Sequence, residues 1–297
     1  MNYIILDMEW DSAYYVPQKR FINQILQIGA VKLDSDFNIT DTLELNIRSA
    51  FTSRVSRRFT ELTGITKEMM LSGIPFAEAV KKYNEFTGEG SITMTWSNSD
   101  LYTIIENEVL LPEDCRFKID RYLDLQKFIQ NELKLSGVQI TSQISLAHAA
   151  EMLDIKTVDY DFHTAKDDSI VCALLLKHCY NGERFKSYVI DATDPHFREK
   201  LSFKAFYIAD MNSPDIPEET FDFKCPACGK PLKTRSKWHF HNRNFTAELS
   251  CGKCGKKYIG RVTARKTYED VKIRTKLIEK RPKVEKKNDM QPLPEKV

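Results

Sequence analysis

Asp7 and Glu9 stand two residues apart at the end of an apolar run, within "YIILDMEW" at residues 3–10. In a strand, residues i and i+2 share a face, so the two carboxylates would lie side by side. A continuous apolar run marks a strand buried on both faces. A carboxylate buried there is costly unless it is paired or bound to metal. Two like charges this close raise one another's pKa, and a divalent cation reverses that penalty. These residues alone leave two readings open: a metal site at the end of a central strand, or a strand that ends in a solvated turn.

Two further acids fall where a fold would not choose them. In "TWSNSDLYTII", Asp100 sits in the first turn of an expected helix, where Ser97, Asn98 and Ser99 are also good capping residues. In "DFHTAKDDSIVCALL", Asp168 falls in register with Cys172 and Leu175 on an otherwise apolar helix face. Asp167 is rotated away toward solvent. His163 lies five residues before Asp168, just ahead of the expected helix, where a lone histidine is ordinarily a satisfied or exposed side chain.

The second chemical signal is at the other end of the chain. Cys225 and Cys228, then Cys251 and Cys254, form two C-x2-C pairs separated by 22 residues, each followed by a glycine, Gly229 or Gly255. Such knuckles suit a tetrahedral, fully thiolate and therefore structural zinc site. His239 and His241 lie between the pairs and are assigned to the surface. The remaining cysteines, Cys115, Cys172 and Cys179, lie in apolar contexts. That distribution points to metal binding in a reducing compartment rather than to a disulfide framework.

The elements that would position these groups follow from periodicity. Strands are expected at residues 3–10, at 24–34 with Gly29 marking a close backbone approach, and around 37–48. Another is expected at "SITMTW". Helices are expected over 76–86, 99–110, the "SLAHAAEML" stretch and "AKDDSIVCALLLKHCY", the last closed by Asn181-Gly182 as a C-cap pair. Strands first, then alternating helices and strands, indicate an α/β domain with a mixed sheet. The expected organisation is a catalytic domain over 1–182, a connector over 183–220, a zinc ribbon of three strands over 221–262, and a charged tail over 263–297, partly helical or disordered.

The 297-residue chain is 42% hydrophobic and 29% charged, as a soluble globular protein should be. Its longest apolar stretch, "IVCALLL", is too short for a membrane span, and no secretory signal is visible, so a cytoplasmic protein with no membrane partner is expected. The net charge of +2 hides an asymmetry. Residues 225–266 hold eleven Lys or Arg and one acid, whereas residues 1–224 are acidic by eleven. A basic segment of this kind suits a nucleic-acid partner. Within it, "KTRSKWHFHNRNF" interleaves Lys237 and Arg243 with Trp238 and Phe240, which could track phosphates and stack on unpaired bases. Some of these aromatics are needed for the small domain's own core.

Taken in order, Asp7, Glu9, Asp100, His163 and Asp168 resemble the DEDDh family of 3′→5′ exonucleases, the fold of ribonuclease T and of polymerase proofreading subunits. "LQIGAVKLD", "LTGIT", "PFAEAVKKYNEF", "SLAHAAEMLDI" and the H-x-A-x-x-D of "HTAKDDS" extend the resemblance over roughly residues 1–180. Trp10 departs from the small residue the family often has there. The resemblance implies a ribonuclease H-like mixed sheet flanked by helices. It implies two Mg²⁺ or Mn²⁺ ions, about 3.5–4 Å apart, held by Asp7, Glu9, Asp100 and Asp168, with His163 as general base. It also implies that Leu62 and Thr63 hold the terminal nucleotide; Trp10 either stacks on a base or packs on the sheet. The expected substrate is single-stranded nucleic acid, RNA before DNA, with a monomer or homodimer as the active form. The rivals are a DNA exonuclease, an inactive exonuclease fold used as a scaffold, and a ribbon that binds a protein instead of nucleic acid.

Overall fold

The computed structural model describes residues 2–111 and 116–280, which fall into two compact units divided between Ser202 and Phe203. The first unit is built on β1 (Tyr3–Tyr15), β2 (Arg20–Leu33) and β3 (Ile39–Asn46). Three helices follow, α1 (Arg57–Thr63), α2 (Lys67–Ser72) and α3 (Phe76–Thr87), then β4 (Ile92–Thr95) and α4 (Ser99–Leu110). The unit closes with β5 (Arg121–Asp124), α5 (Leu125–Leu135), α6 (Leu146–Met152), α7 (Ala165–Cys179), α8 (Gly182–Tyr188), β6 (Ile190–Asp191) and α9 (His196–Ser202). The helix starts are written into the sequence. Ser56, Thr66, Asp124, Ser145 and Thr164 each accept a hydrogen bond from a first-turn amide of the helix they precede.

These strands form one six-stranded mixed sheet in the order β3-β2-β1-β4-β5-β6. β1 pairs antiparallel with β2 and parallel with β4. Alternation along β1 divides the core between the two faces of the sheet. Ile4, Leu6 and Met8 pack with residues of α3, α4 and α9, such as Val80, Ile104 and Phe197. Ile5 packs on the opposite face with residues of α5, α6 and α7, such as Phe128, Ala149 and Leu175. Asp7 and Glu9 continue the Ile5 face and therefore look toward α7.

Several expectations are corrected. β1 does not end at Trp10; it runs on to Tyr15 as a long hairpin with β2, with a register shift between Glu9 and Trp10. The sheet itself opens beside the acids, because the parallel pairing with β4 stops at Ile5–Met94. Asn181 does not close α7. Its side chain instead caps α8 by accepting from the Arg184 amide, 3.2 Å away. The expected boundary at residue 182 also moves. β6 pairs with β5 and Phe197 of α9 enters the first core, so the chain through Ser202 belongs to the first unit.

The second unit is a six-stranded sheet of β7 (Phe206–Tyr207), β8 (Leu232–Thr234), β9 (His239–His241), β10 (Asn244–Cys251), β11 (Lys257–Lys266) and β12 (Val271–Glu279). It is larger than the three-stranded ribbon expected. β12, read from its charge as part of a helical or disordered tail, is a strand paired along its whole length with β11. Alternation of Val271, Ile273 and Leu277 with cations suits a half-buried strand better than a helix. The disorder expected for the last residues falls on 281–297, outside the described residues, as does Cys115. Among the described residues no helix is long and apolar enough to cross a membrane.

Candidate active site and cysteine cluster

β1 delivers Asp7 and Glu9, α4 delivers Asp100, and the start of α7 delivers His163 and Asp168. Ligand atoms of Glu9, His163 and Asp168 lie within 4.8 Å of one another. Asp7 and Asp100 join them electrically. The Asp7 carboxyl is pushed well above the usual range by burial and by the charges of Asp100, Asp168 and Glu9. Burial, with help from Asp168 and Asp100, raises Glu9 to about 8. Burial raises Asp100 to about 7 although the amides of Asp100 and Met8 favour its anion. Asp168 rises to about 6, again chiefly by burial, while the His163 amide and side chain pull it back. Four carboxyls that resist ionisation together form a cluster whose negative charge the protein does little to offset.

Two of their oxygens have no partner. Asp100 Oδ1 and Asp168 Oδ1 are buried and make no hydrogen bond, although such atoms are nearly always satisfied in a protein interior. An all-oxygen donor set with unsatisfied anionic lone pairs suits a hard divalent cation such as Mg²⁺ or Mn²⁺. The residues present therefore fit the metals that the sequence implies.

The framework behind the cluster is backbone-tight. Gly29 lies opposite Asp7 in the β1–β2 ladder. A Cβ on Gly29 would fall 2.1 Å from the Ala165 carbonyl carbon and 2.2 Å from the Lys166 amide nitrogen. The close approach expected at this glycine is thus the landing point of α7. Ser169 Oγ donates to the Gly29 carbonyl at 3.2 Å. Gln27, opposite Glu9, accepts from the Ala165 amide at 3.2 Å and donates to Asn46 Oδ1 at 3.1 Å. Gln27 was not singled out by the sequence reading. The signal for it was a buried glutamine, 4% exposed, inside the apolar run 25–30 of β2. His163 is exposed, has φ +70°, and donates its amide to Asp168 Oδ2 at 3.3 Å. This left-handed turn carries the imidazole to the mouth of the cluster.

The expected substrate contacts fare unevenly. Leu62 is 52% exposed on α1 and free to meet a ligand. Thr63 is buried, and its hydroxyl donates to the Phe59 carbonyl at 2.9 Å and accepts from the Ile65 amide at 3.1 Å, so it holds a turn. Trp10, half-buried, packs against the core that contains Ile25 and Ile28. In the second unit, Trp238 stacks on Phe223 and meets Phe221 edge-on at 5.0 Å. Its ring fills the space that Gly260 leaves by lacking a Cβ. Phe240 leans on Phe245 at 5.1 Å and is 37% exposed. Lys237 is exposed, and the Arg243 guanidinium lies 5.3 Å from the centre of the Tyr207 ring.

The four C-terminal cysteines converge. Their sulfurs lie within 4.8 Å of one another, with Cys225–Cys254 at 3.6 Å and Cys228–Cys251 at 3.4 Å. These approach the ~3.8 Å tetrahedral edge that Zn–S bonds of about 2.3 Å imply. The two knuckles are alike. Gly229 and Gly255, both at φ +70°, donate to the Cys225 and Cys251 carbonyls at 2.8 and 3.0 Å. Tyr258 Oη, 3.5 Å from Cys225 Sγ, draws that thiol down to about 6. The donor set fits one structural zinc. Such sites contribute roughly 10–16 kcal/mol of apparent binding energy to folding. Cys251→Ser should therefore lose stoichiometric zinc and make residues 203–280 sensitive to trypsin, with residues 2–202 still resistant, as metal analysis and limited proteolysis would show. Retained protection in the zinc-free variant would contradict a structural role.

A model of the exonuclease family matches residues 19–176, more than half of the chain. The chain belongs to the exonuclease family. Among curated proteins it is similar to the probable 3′-5′ exonuclease KapD of Bacillus subtilis (strain 168), at 27% identity over 107 residues, 35% of this chain and 51% of KapD. It thus spans about half the length of that relative. Among solved structures it resembles the nuclease domain of 3′hExo, a DEDDh family member, bound to rAMP, with TM-score 0.51, 20% identity, and 59% of this chain covering 90% of that one. A 3′-exonuclease solved with a histone mRNA stem-loop gives TM-score 0.51 at 19% identity, covering 59% and 80% of the two chains. The fold of the first unit is therefore ribonuclease H-like, a mixed sheet flanked by helices.

Proposed function

We propose that this chain is a metal-dependent 3′→5′ exonuclease that hydrolyses single-stranded nucleic acid, RNA in preference to DNA, and releases nucleoside 5′-monophosphates. The observation that carries the reading is the convergence of Glu9, His163 and Asp168 with the unpartnered, buried oxygens of Asp100 and Asp168. Asp7, Glu9, Asp100 and Asp168 would hold two Mg²⁺ or Mn²⁺ ions. When bound, the cations supply charge neutralisation at the scissile phosphate and acidify the attacking water. His163, exposed beside Glu9 and Asp168, takes the proton of that water as general base. Leu62 offers an apolar contact for the terminal nucleotide. The RNA preference is supported by the rAMP and mRNA stem-loop bound in the two solved relatives.

The test uses matched 5′-labelled single-stranded RNA and DNA with Mg²⁺, Mn²⁺ or no divalent cation. A ladder shortening from the 3′ end, faster on RNA and absent without metal, is expected. Intact RNA in every lane would overturn the proposal, and faster DNA cleavage would overturn its sugar preference. His163→Ala should lower kcat by about 10²–10⁴-fold while Mn²⁺ still raises the melting temperature. Loss of that metal-induced shift would make His163 a ligand instead of a base.

A further inference from the structure

One face of the second unit's sheet is a cation array that the fold does not need. In the β11–β12 ladder, Arg261 stands directly opposite Lys276, and Arg265 directly opposite Lys272, with Arg274 between them opposite Thr263. Like charges placed directly across a strand pair destabilise it. All five side chains are exposed, and none has an acidic partner among the described residues. The opposite face of the same strands carries Tyr258, Val262 and Ala264 in the core. Among the strand residues of the cationic face the acid is Glu248, already held by Lys280 at 2.6 Å. Solubility alone does not call for five uncompensated charges concentrated on one face.

The spacing suits a polyanion. Lys272, Arg274 and Lys276 are alternate residues of one strand, so successive cations are about 6.4–6.8 Å apart, a step comparable to that between phosphates of an extended nucleic-acid strand. Arg261 and Arg265 form a second row beside them. Tyr207 lies opposite Arg265, with the Arg243 and Arg265 guanidinium groups 5.3 and 5.9 Å from its ring centre. In the basic loop, by contrast, Phe245 and part of the Trp238 ring are engaged in the unit's own packing.

We propose that this β11–β12 face binds the sugar-phosphate backbone of single-stranded RNA, through charge and without reading bases. The proposal rests on the nucleic-acid part of the functional reading above and is independent of its catalytic part.

The test measures binding of the full chain, in an Asp7→Asn background with Mg²⁺ so that RNA stays intact, across a salt series. The variant is Lys272→Gln/Arg274→Gln/Lys276→Gln. Its control is Lys67→Gln/Lys81→Gln/Lys134→Gln, which removes equal charge from the first unit. Each phosphate contact contributes about 0.7 to the slope of log K against log salt for single strands, so the variant should lose about 2 from its slope. It should also bind at least about tenfold more weakly at 0.1 M salt, while the control changes little. Because its like-charge pairs are relieved, the variant should also melt no lower than its parent. An unchanged slope, an equal loss in the control, a lower melting temperature, or polyglutamate bound as tightly as RNA would each overturn the proposal. Cleavage by the otherwise native enzyme, scored in parallel, separates failure of this face from failure of the nuclease reading.

Discussion

Asp7→Asn leaves 5′-labelled RNA uncut, with a rate reduced by about 10³-fold or more, and at the same time makes the metal-free protein harder to unfold at pH 8. Both effects come from one charge. Asp7 is the carboxyl whose ionisation is most opposed, by burial and then by Asp100, Asp168 and Glu9. A group whose folded pKa lies above its unfolded value stabilises the fold only while protonated. That contribution is complete below the unfolded value near pH 4. It is lost as pH rises through the folded values, about 6 for Asp168, 7 for Asp100 and 8 for Glu9. The metal-free protein should therefore lose stability steadily from pH 4 to 8. Replacing Asp7 by a neutral isostere removes one of the opposed charges and eases the ionisation of the other three. Its melting temperature at pH 8 should exceed the wild type's by at least about 2–4 °C, the shift that 1 kcal/mol gives in a unit of this size. The gap should close near pH 4. Mn²⁺ should raise the wild type's melting temperature most at high pH and the variant's far less. Differential scanning calorimetry with and without metal reads all of this. A variant less stable than wild type at pH 8 would show that Asp7 serves the fold.

Gly29→Ala should nearly abolish activity although it adds one methyl group and touches no reacting atom. Its Cβ would meet the Ala165 carbonyl carbon at 2.1 Å and oxygen at 2.3 Å, and the Lys166 amide at 2.2 Å. These are backbone atoms in the first turn of a helix and have no rotamer with which to escape. Either β2 or the start of α7 must move, and α7 carries Asp168 with His163 just ahead of it. Displacing a catalytic group by about 1 Å costs on the order of 10²-fold in rate, and an overpacked core loses about 1–3 kcal/mol. Hydrolysis of labelled RNA should fall at least 100-fold and the melting temperature should drop. Normal activity in Gly29→Ala would mean that α7 does not need this contact to place the acids.

Much of the site was legible because local chemistry announced it. Carboxylates ending an apolar run or opening an apolar helix face, as Asp7, Glu9 and Asp168 do, violate the cost of burying charge. The paired C-x2-C knuckles carry their ligand geometry within a few residues. The helix over 99–110 has the bounds read from its sequence, although no N-cap side chain bonds its first turn. Gly29 was legible as a close approach, though not what approaches it.

The rest depended on partners far along the chain. Whether Asn181 closes α7 or opens α8 turns on which backbone amides reach its side chain first. Thr63 and Trp238 stand in motif-like settings, and only packing shows that the Thr63 hydroxyl holds a turn and that the Trp238 ring packs on the second unit's core. Gln27 matters through Ala165, 138 residues away. The cations of β12 read as a solvated tail until pairing with β11 set them opposite Arg261 and Arg265. By itself the sequence determined which residues carry charge and thiol, because those properties are local. Tertiary structure decided which of them face one another, because proximity and burial are set by the whole chain's pairing.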